Sequence, residues 1–107
     1  SDGRKADNPK INYGTGGILG GRKYMLTTSW NAPETAFTLP GEFFNEKSVD
    51  DGPLFGFHRM NAFVSLEKME SFHFHDVEKN ADIERDMKLY REHVATVFEK
   101  EFKMELA

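Results

Sequence analysis

The chain has 107 residues, of which 38% are hydrophobic and 30% charged, enough for one domain. Its formal net charge of −4 argues against a general nucleic-acid binder, and its zero cysteines exclude disulfides, thiol catalysis, Cys-ligated zinc and iron–sulfur clusters. The apolar runs are far shorter than the ~18 residues needed to span a bilayer, and no signal-peptide pattern opens the chain, so a cytoplasmic protein is expected.

Charge is unevenly placed. Residues 1–25 carry net +3, residues 26–66 net −3 and residues 67–107 net −4. A basic arm ahead of an acidic body could suit a phosphate-bearing ligand, although a solvated loop explains it equally simply.

Residues 1–12 show neither helical nor strand period and read as loop. The segment Tyr13-Gly14-Thr15-Gly16-Gly17-Ile18-Leu19-Gly20-Gly21 follows, with glycines that let the backbone approach a neighbour or ligand closely. It is not a dinucleotide fingerprint, because Leu19 stands where the third glycine is needed, and no Gly-Lys-Ser/Thr completes a phosphate loop. Arg22 to Trp30 reads as a strand without polar alternation, as expected when both faces are buried in a parallel sheet. Residues 33–52 lack a clear period and contain Pro33, Pro40, Gly41 and Gly52, which predicts a long functional loop holding Phe37, Phe43 and Phe44.

Residues 53–65 predict a short helix, with Leu54, Phe57, Asn61 and Val64 at helical spacing and Pro53 in the first turn. Residues 70–77 alternate and predict a strand with Phe72 and Phe74 on one face and Ser71, His73, His75 and Val77 on the other. The last element is a helix from about residue 82 to 103. Its apolar stripe is Ile83, Met87, Tyr90, Val94, Val97, Phe98 and Phe102, with Asn80 as N-cap and Glu99–Lys103 as a favourable pair. Strands alternating with helices indicate an α/β fold with a parallel sheet. Two strands are too few for such a sheet, so the chain is expected to be part of a larger unit.

Several constellations have bland explanations. His73-Phe74-His75 has the spacing of some metal sites, but a third ligand is not evident, so polar strand positions and no metal are expected. His58 could donate a proton, although a helix-packing or surface histidine accounts for it. A Ser–His–Asp hydrolase would need a Gly-x-Ser-x-Gly elbow, which the chain lacks. Asp50-Asp51 beside Gly52 is explained by turn chemistry. Ser29-Trp30-Asn31-Ala32 is the strongest candidate. It lies at the carboxyl end of a predicted parallel strand, where open α/β sheets bind ligands, and it combines accessible backbone N–H groups with an indole and an amide. A planar ligand with polar edges would suit it.

Tyr13-Gly14-Thr15-Gly16-Gly17, Gly21-Arg22-Lys23-Tyr24-Met25-Leu26 and Trp30-Asn31-Ala32-Pro33 with Ala36-Phe37 strongly resemble the modulator of drug activity B family. Glu42-Phe43-Phe44, Phe57-His58-Arg59-Met60-Asn61-Ala62-Phe63 and Tyr90-Arg91-Glu92-His93 fit the same pattern. The resemblance implies a flavodoxin-like NAD(P)H:quinone reductase that uses FAD, is typically a homodimer, and acts on a quinone or similar small aromatic. It implies that Tyr13, Ser29, Trp30, Asn31 and Ala32 contact FAD, and that no side chain need be an essential acid or base. Phe43 and Phe44 are expected to wall the quinone pocket. The resemblance covers the carboxyl-terminal half of a family member, so residues 1–107 are expected to be that part of a single flavodoxin-like domain. Alternatives are a self-associating α/β piece without flavin, and a related azo- or nitroreductase.

Overall fold

The computed structural model describes residues 1–106. In chain order the elements are β1 (Lys23–Tyr24), β2 (Thr27–Ser29), α1 (Thr35–Thr38), α2 (Phe55–Phe63), β3 (Glu67–Lys68), β4 (Phe72–Phe74) and α3 (Ile83–Leu106). Both ladders are parallel: β1 pairs with β3 and β2 with β4. The chain divides into two compact units, Ser1–Met25 with Lys47–Met69, and Leu26–Glu46 with the residues from Glu70 on.

The single strand expected from Arg22 to Trp30 is thus two short strands. Register supplies the reason. Lys23 faces Glu67, whereas Thr27 faces Phe72. The partner segment therefore spends one more residue than the 23–27 segment between the two ladders, and a one-residue excess interrupts pairing as a bulge does. Neither strand is buried on both faces, since Thr27 and Ser29 are exposed and Lys23 and Tyr24 half-buried. The expected 70–77 strand is reduced to β4, and β3 was not foreseen; its Glu-Lys dipeptide has no apolar period to betray it.

In the first unit, α2 ends in a Schellman turn. Ser65 N–H bonds Ala62 O and Leu66 N–H bonds Asn61 O, with Ser65 at φ 70°, the left-handed position usually given to glycine. The glycine-rich segment packs on this end. A Cβ at Gly17 would lie 2.2 Å from the Val64 carbonyl carbon, and Leu19 N–H bonds Val64 O at 3.0 Å. The close approach promised by the glycines is thus to the protein's own backbone. The predicted helix 53–65 is shorter at both ends, and Pro53 precedes the Leu54 cap rather than occupying the first turn.

In the second unit, the 33–52 stretch is not structureless. Pro33 and Glu34 lead into α1, Pro40 follows it, and the helix carries Phe37, only 2% exposed. Phe44 stacks flat on Phe37 at 4.1 Å between centroids, and the Trp30 edge meets Phe37 at 5.3 Å. Val97 of α3 is also buried, and Phe72 and Phe74 both contact Tyr90 of α3. Much of the expected α3 stripe lies outside the core: Ile83 is 73% exposed, and Met87, Phe98 and Phe102 are exposed as well. The cap is Asp82, whose carboxylate accepts the Arg85 backbone N–H at 3.1 Å, rather than Asn80. Glu99 and Lys103 form the expected pair at 2.9 Å. Among the described residues no helix is long and apolar enough to cross a membrane.

Candidate functional site

The second unit places Ser29, Trp30, Asn31 and Ala32 at and just past the carboxyl end of β2. Three backbone bonds and one from a side chain fasten this segment to the end of β4 and the residues after it. Trp30 N–H bonds Phe74 O at 2.9 Å, Val77 N–H bonds Trp30 O at 3.2 Å, Asp76 N–H bonds Ala32 O at 3.4 Å, and Ala32 O also accepts Nδ1–H of His75 at 3.2 Å. A carbonyl can only accept, so His75 carries its proton on Nδ1. The N–H groups of Asn31 and Ala32 donate to nothing among the described residues. They are two adjacent backbone donors at the position where α/β sheets bind ligands.

Between the strand ends and the start of α3 lies a cleft of about 260 Å³, lined by Ser29 of this segment with Phe74, Val77, Ala81, Ile83, Asp86 and Met87. Its walls are mostly apolar with one carboxylate. A flat ring with a polar edge matches this combination of an apolar wall and nearby N–H donors.

The aromatic wall divides in two. Trp30, Phe37 and Phe44 form one cluster with His75 at its edge. Phe43 packs its ring on Phe44 at 4.9 Å yet remains 85% exposed. Phe44 therefore belongs to the core of this unit, and Phe43 alone presents a free aromatic face. Tyr13 sits in the first unit. It is 68% exposed, lies against Phe63 at 5.4 Å, and has the Arg4 guanidinium 5.4 Å above its ring. Arg4 is held in turn by Asp2 at 2.9 Å, and that hydrogen bond keeps the Asp2 carboxyl below the usual carboxylate range.

Sequence reasoning missed one constellation. In the first unit, the Tyr24 hydroxyl meets His58 Nδ1 at 2.6 Å, and His58 Nε2 meets Asp50 Oδ1 at 2.6 Å. The imidazole is nearly covered and joins β1, α2 and the turn before α2. Asp50 thus does more than turn chemistry. Spacings of 34 and 8 residues carry no periodic signal that could have revealed it. His73 and His75 line a second cleft with Glu34, Asp76, Arg85 and Asp86. Among the described residues no group of three or more His, Asp or Glu side chains could hold a metal ion.

The parallel strands and the helices that alternate with them are those of an α/β protein of flavodoxin-like type. A family model described as "Flavodoxin-like fold" matches residues 4–97, and the chain belongs to that family. It is 44% identical over 98 residues to a Haemophilus influenzae protein named NADPH:quinone oxidoreductase MdaB, covering 92% of this chain and 50% of that protein. It is 40% identical over 98 residues to an uncharacterized protein of Schizosaccharomyces pombe, with the same 92% and 50% coverage. The chain spans about half the length of the curated relatives it matches.

Proposed function

We propose that this chain supplies the ring-binding part of an FAD-dependent NADPH:quinone oxidoreductase. The observation that carries the reading is the pair of uncommitted N–H donors at Asn31 and Ala32, just past β2, together with the apolar cleft that Ser29 lines. The residues present fit a flavin ring: its carbonyl-bearing edge needs donors, and its flat body needs apolar walls. Ser29, Trp30, Asn31 and Ala32 would hold the ring. When bound, FAD supplies two-electron hydride chemistry between a nicotinamide and a quinone.

The protein's share is binding, orientation and electrostatics. Backbone N–H groups are fixed dipoles, so they favour negative charge on an adjacent ring edge without reorganising. The Trp30 ring limits how water reaches that edge. Phe43, exposed above Phe44, offers a stacking face for a quinone, worth about 0.5–1.5 kcal/mol beyond its buried area. No side chain at the site is needed as an essential acid or base. The exposed Phe98, Phe102 and Leu106 of α3 support association of two copies of the chain.

The test is flavin uptake. The purified chain is dialysed against FAD, and the bound fraction is read from visible absorbance. Stoichiometric uptake followed by NADPH-dependent bleaching and quinone-dependent recovery supports the reading. Absence of bound flavin at saturating FAD refutes it for this chain and favours a self-associating piece without cofactor.

A further inference from the structure

The His-x-His pair in and just past β4 has no role in the reading above, yet His75 bonds the candidate ring-binding segment and His73 bonds Thr28 just before it. Thr28 faces His73 in the parallel ladder. Trp30 stands two residues beyond Thr28, which puts the two on the same side of an extended chain. The indole Nε1–H donates to Thr28 Oγ1 at 2.7 Å, and the same hydroxyl bonds His73 Nδ1.

An indole nitrogen can only donate, so Thr28 Oγ1 is the acceptor of the first bond. That leaves the hydroxyl its own proton and a second lone pair, and the bond to His73 Nδ1 uses one of them. His75 donates its Nδ1–H to Ala32 O. Two residues apart in the chain, the imidazoles each bond a partner within residues 28–32.

We propose that His73 and His75 are positioning residues that clamp the Trp30–Ala32 segment, His73 acting on the Trp30 indole through Thr28 and His75 on the Ala32 carbonyl. The relevance to a flavin ring rests on the proposed function, but the clamp itself does not. In the chain Trp30–Thr28–His73 the Thr28 hydroxyl is held from two sides, by the indole and by the imidazole. His75 holds Ala32 by its carbonyl, next to the N–H groups that face outward. The charged groups lining the cleft with both histidines are Glu34, Asp76, Arg85 and Asp86. A change in charge among these groups would reach the segment through the imidazoles.

Trp30 is the chain's one tryptophan, so a single indole N–H cross-peak reports on it in an ¹⁵N-labelled sample of the 107-residue chain. H73L and T28V should each shift that peak and speed its exchange with water about five- to tenfold, the loss of one net hydrogen bond. The double variant should do no more than either single change, because both break one chain. H73N, whose amide can bond the hydroxyl in place of Nδ1, and T28S, which keeps the hydroxyl, should retain the parental peak. Long-range ¹H–¹⁵N spectra should show a protonated Nδ1 on His75.

An unchanged indole peak in H73L, or additive effects in the double variant, would overturn the role of His73. If H73L fails to fold, the T28V and T28S pair decides, since T28V must move the peak and T28S must not. For His75, H75L should weaken FAD binding about fivefold and H75N, which keeps a donor, should not. Equal affinities for FAD in H75L and the parent would overturn that half. If the parent takes up no FAD, the functional reading fails; the indole peak then decides the His73 half, and the tautomer spectrum decides the His75 half.

Discussion

Phe37 is the place where the second unit should be most fragile. It is 2% exposed, stacked face to face with Phe44 at 4.1 Å and met by the Trp30 edge at 5.3 Å. Phe37→Ala removes a whole ring from a site closed on at least two sides by other rings, which cannot all collapse into the gap. Buried Phe→Ala changes cost about 3–5 kcal/mol through lost transfer energy plus the cavity. Against a total stability of about 5–15 kcal/mol, that is about a fifth or more of what a small domain has. A drop in Tm above about 10 °C follows. The assay is urea unfolding followed by Trp30 fluorescence, which senses this cluster directly. Phe37→Leu, which keeps much of the volume, should cost only about 1 kcal/mol and provides a folded reference. Phe43→Ala is the control: six residues away and 85% exposed, it should change stability by no more than about 0.5 kcal/mol. A loss below about 1 kcal/mol for Phe37→Ala, or equal losses for Phe37→Ala and Phe43→Ala, would refute the placement of the core.

Asn31→Asp should weaken FAD binding, because a unit charge about 4 Å from an electron-rich ring edge costs up to a few kcal/mol at an effective dielectric near 20; unchanged affinity in a dialysis titration removes Asn31 from the site. Tyr24→Phe deletes one end of the Tyr24–His58–Asp50 chain and should lower stability by about 1 kcal/mol, measured by denaturant melt, whereas His58→Ala should cost more because it breaks both bonds. Asp2 titrates below a free carboxylate because Arg4 bonds its charged form, so its contribution is present above the unfolded value and is lost as pH falls through the lower folded one. Arg4→Ala should return the Asp2 carboxyl resonance to an ordinary titration in NMR. Sedimentation at low micromolar concentration should show self-association through the apolar residues of α3, and Phe98→Glu with Phe102→Glu should yield monomer.

The long carboxyl-terminal helix was legible because its signal is local. Apolar residues recur at three and four, acidic residues crowd the start, and Glu99 and Lys103 stand one turn apart. The segment 29–32 was legible for a similar reason, since an apolar run stopping at Trp-Asn-Ala-Pro marks where a strand must end. Which side chains are buried was not legible. Ile83 and Phe102 share the helical stripe with Val97, but burial depends on what the rest of the fold brings against each turn, and only Val97 is covered. The break between β1 and β2 is also tertiary, because it comes from a one-residue difference in register with a partner 44 residues away. Phe37 and Phe44 looked like loop residues, since their stacking joins a four-residue helix to the turn after it and obeys no period. The histidines divide the same way. Alternation put His73 and His75 on one face, but the partner that each bonds lies more than 40 residues earlier in the chain, where only folding can bring it.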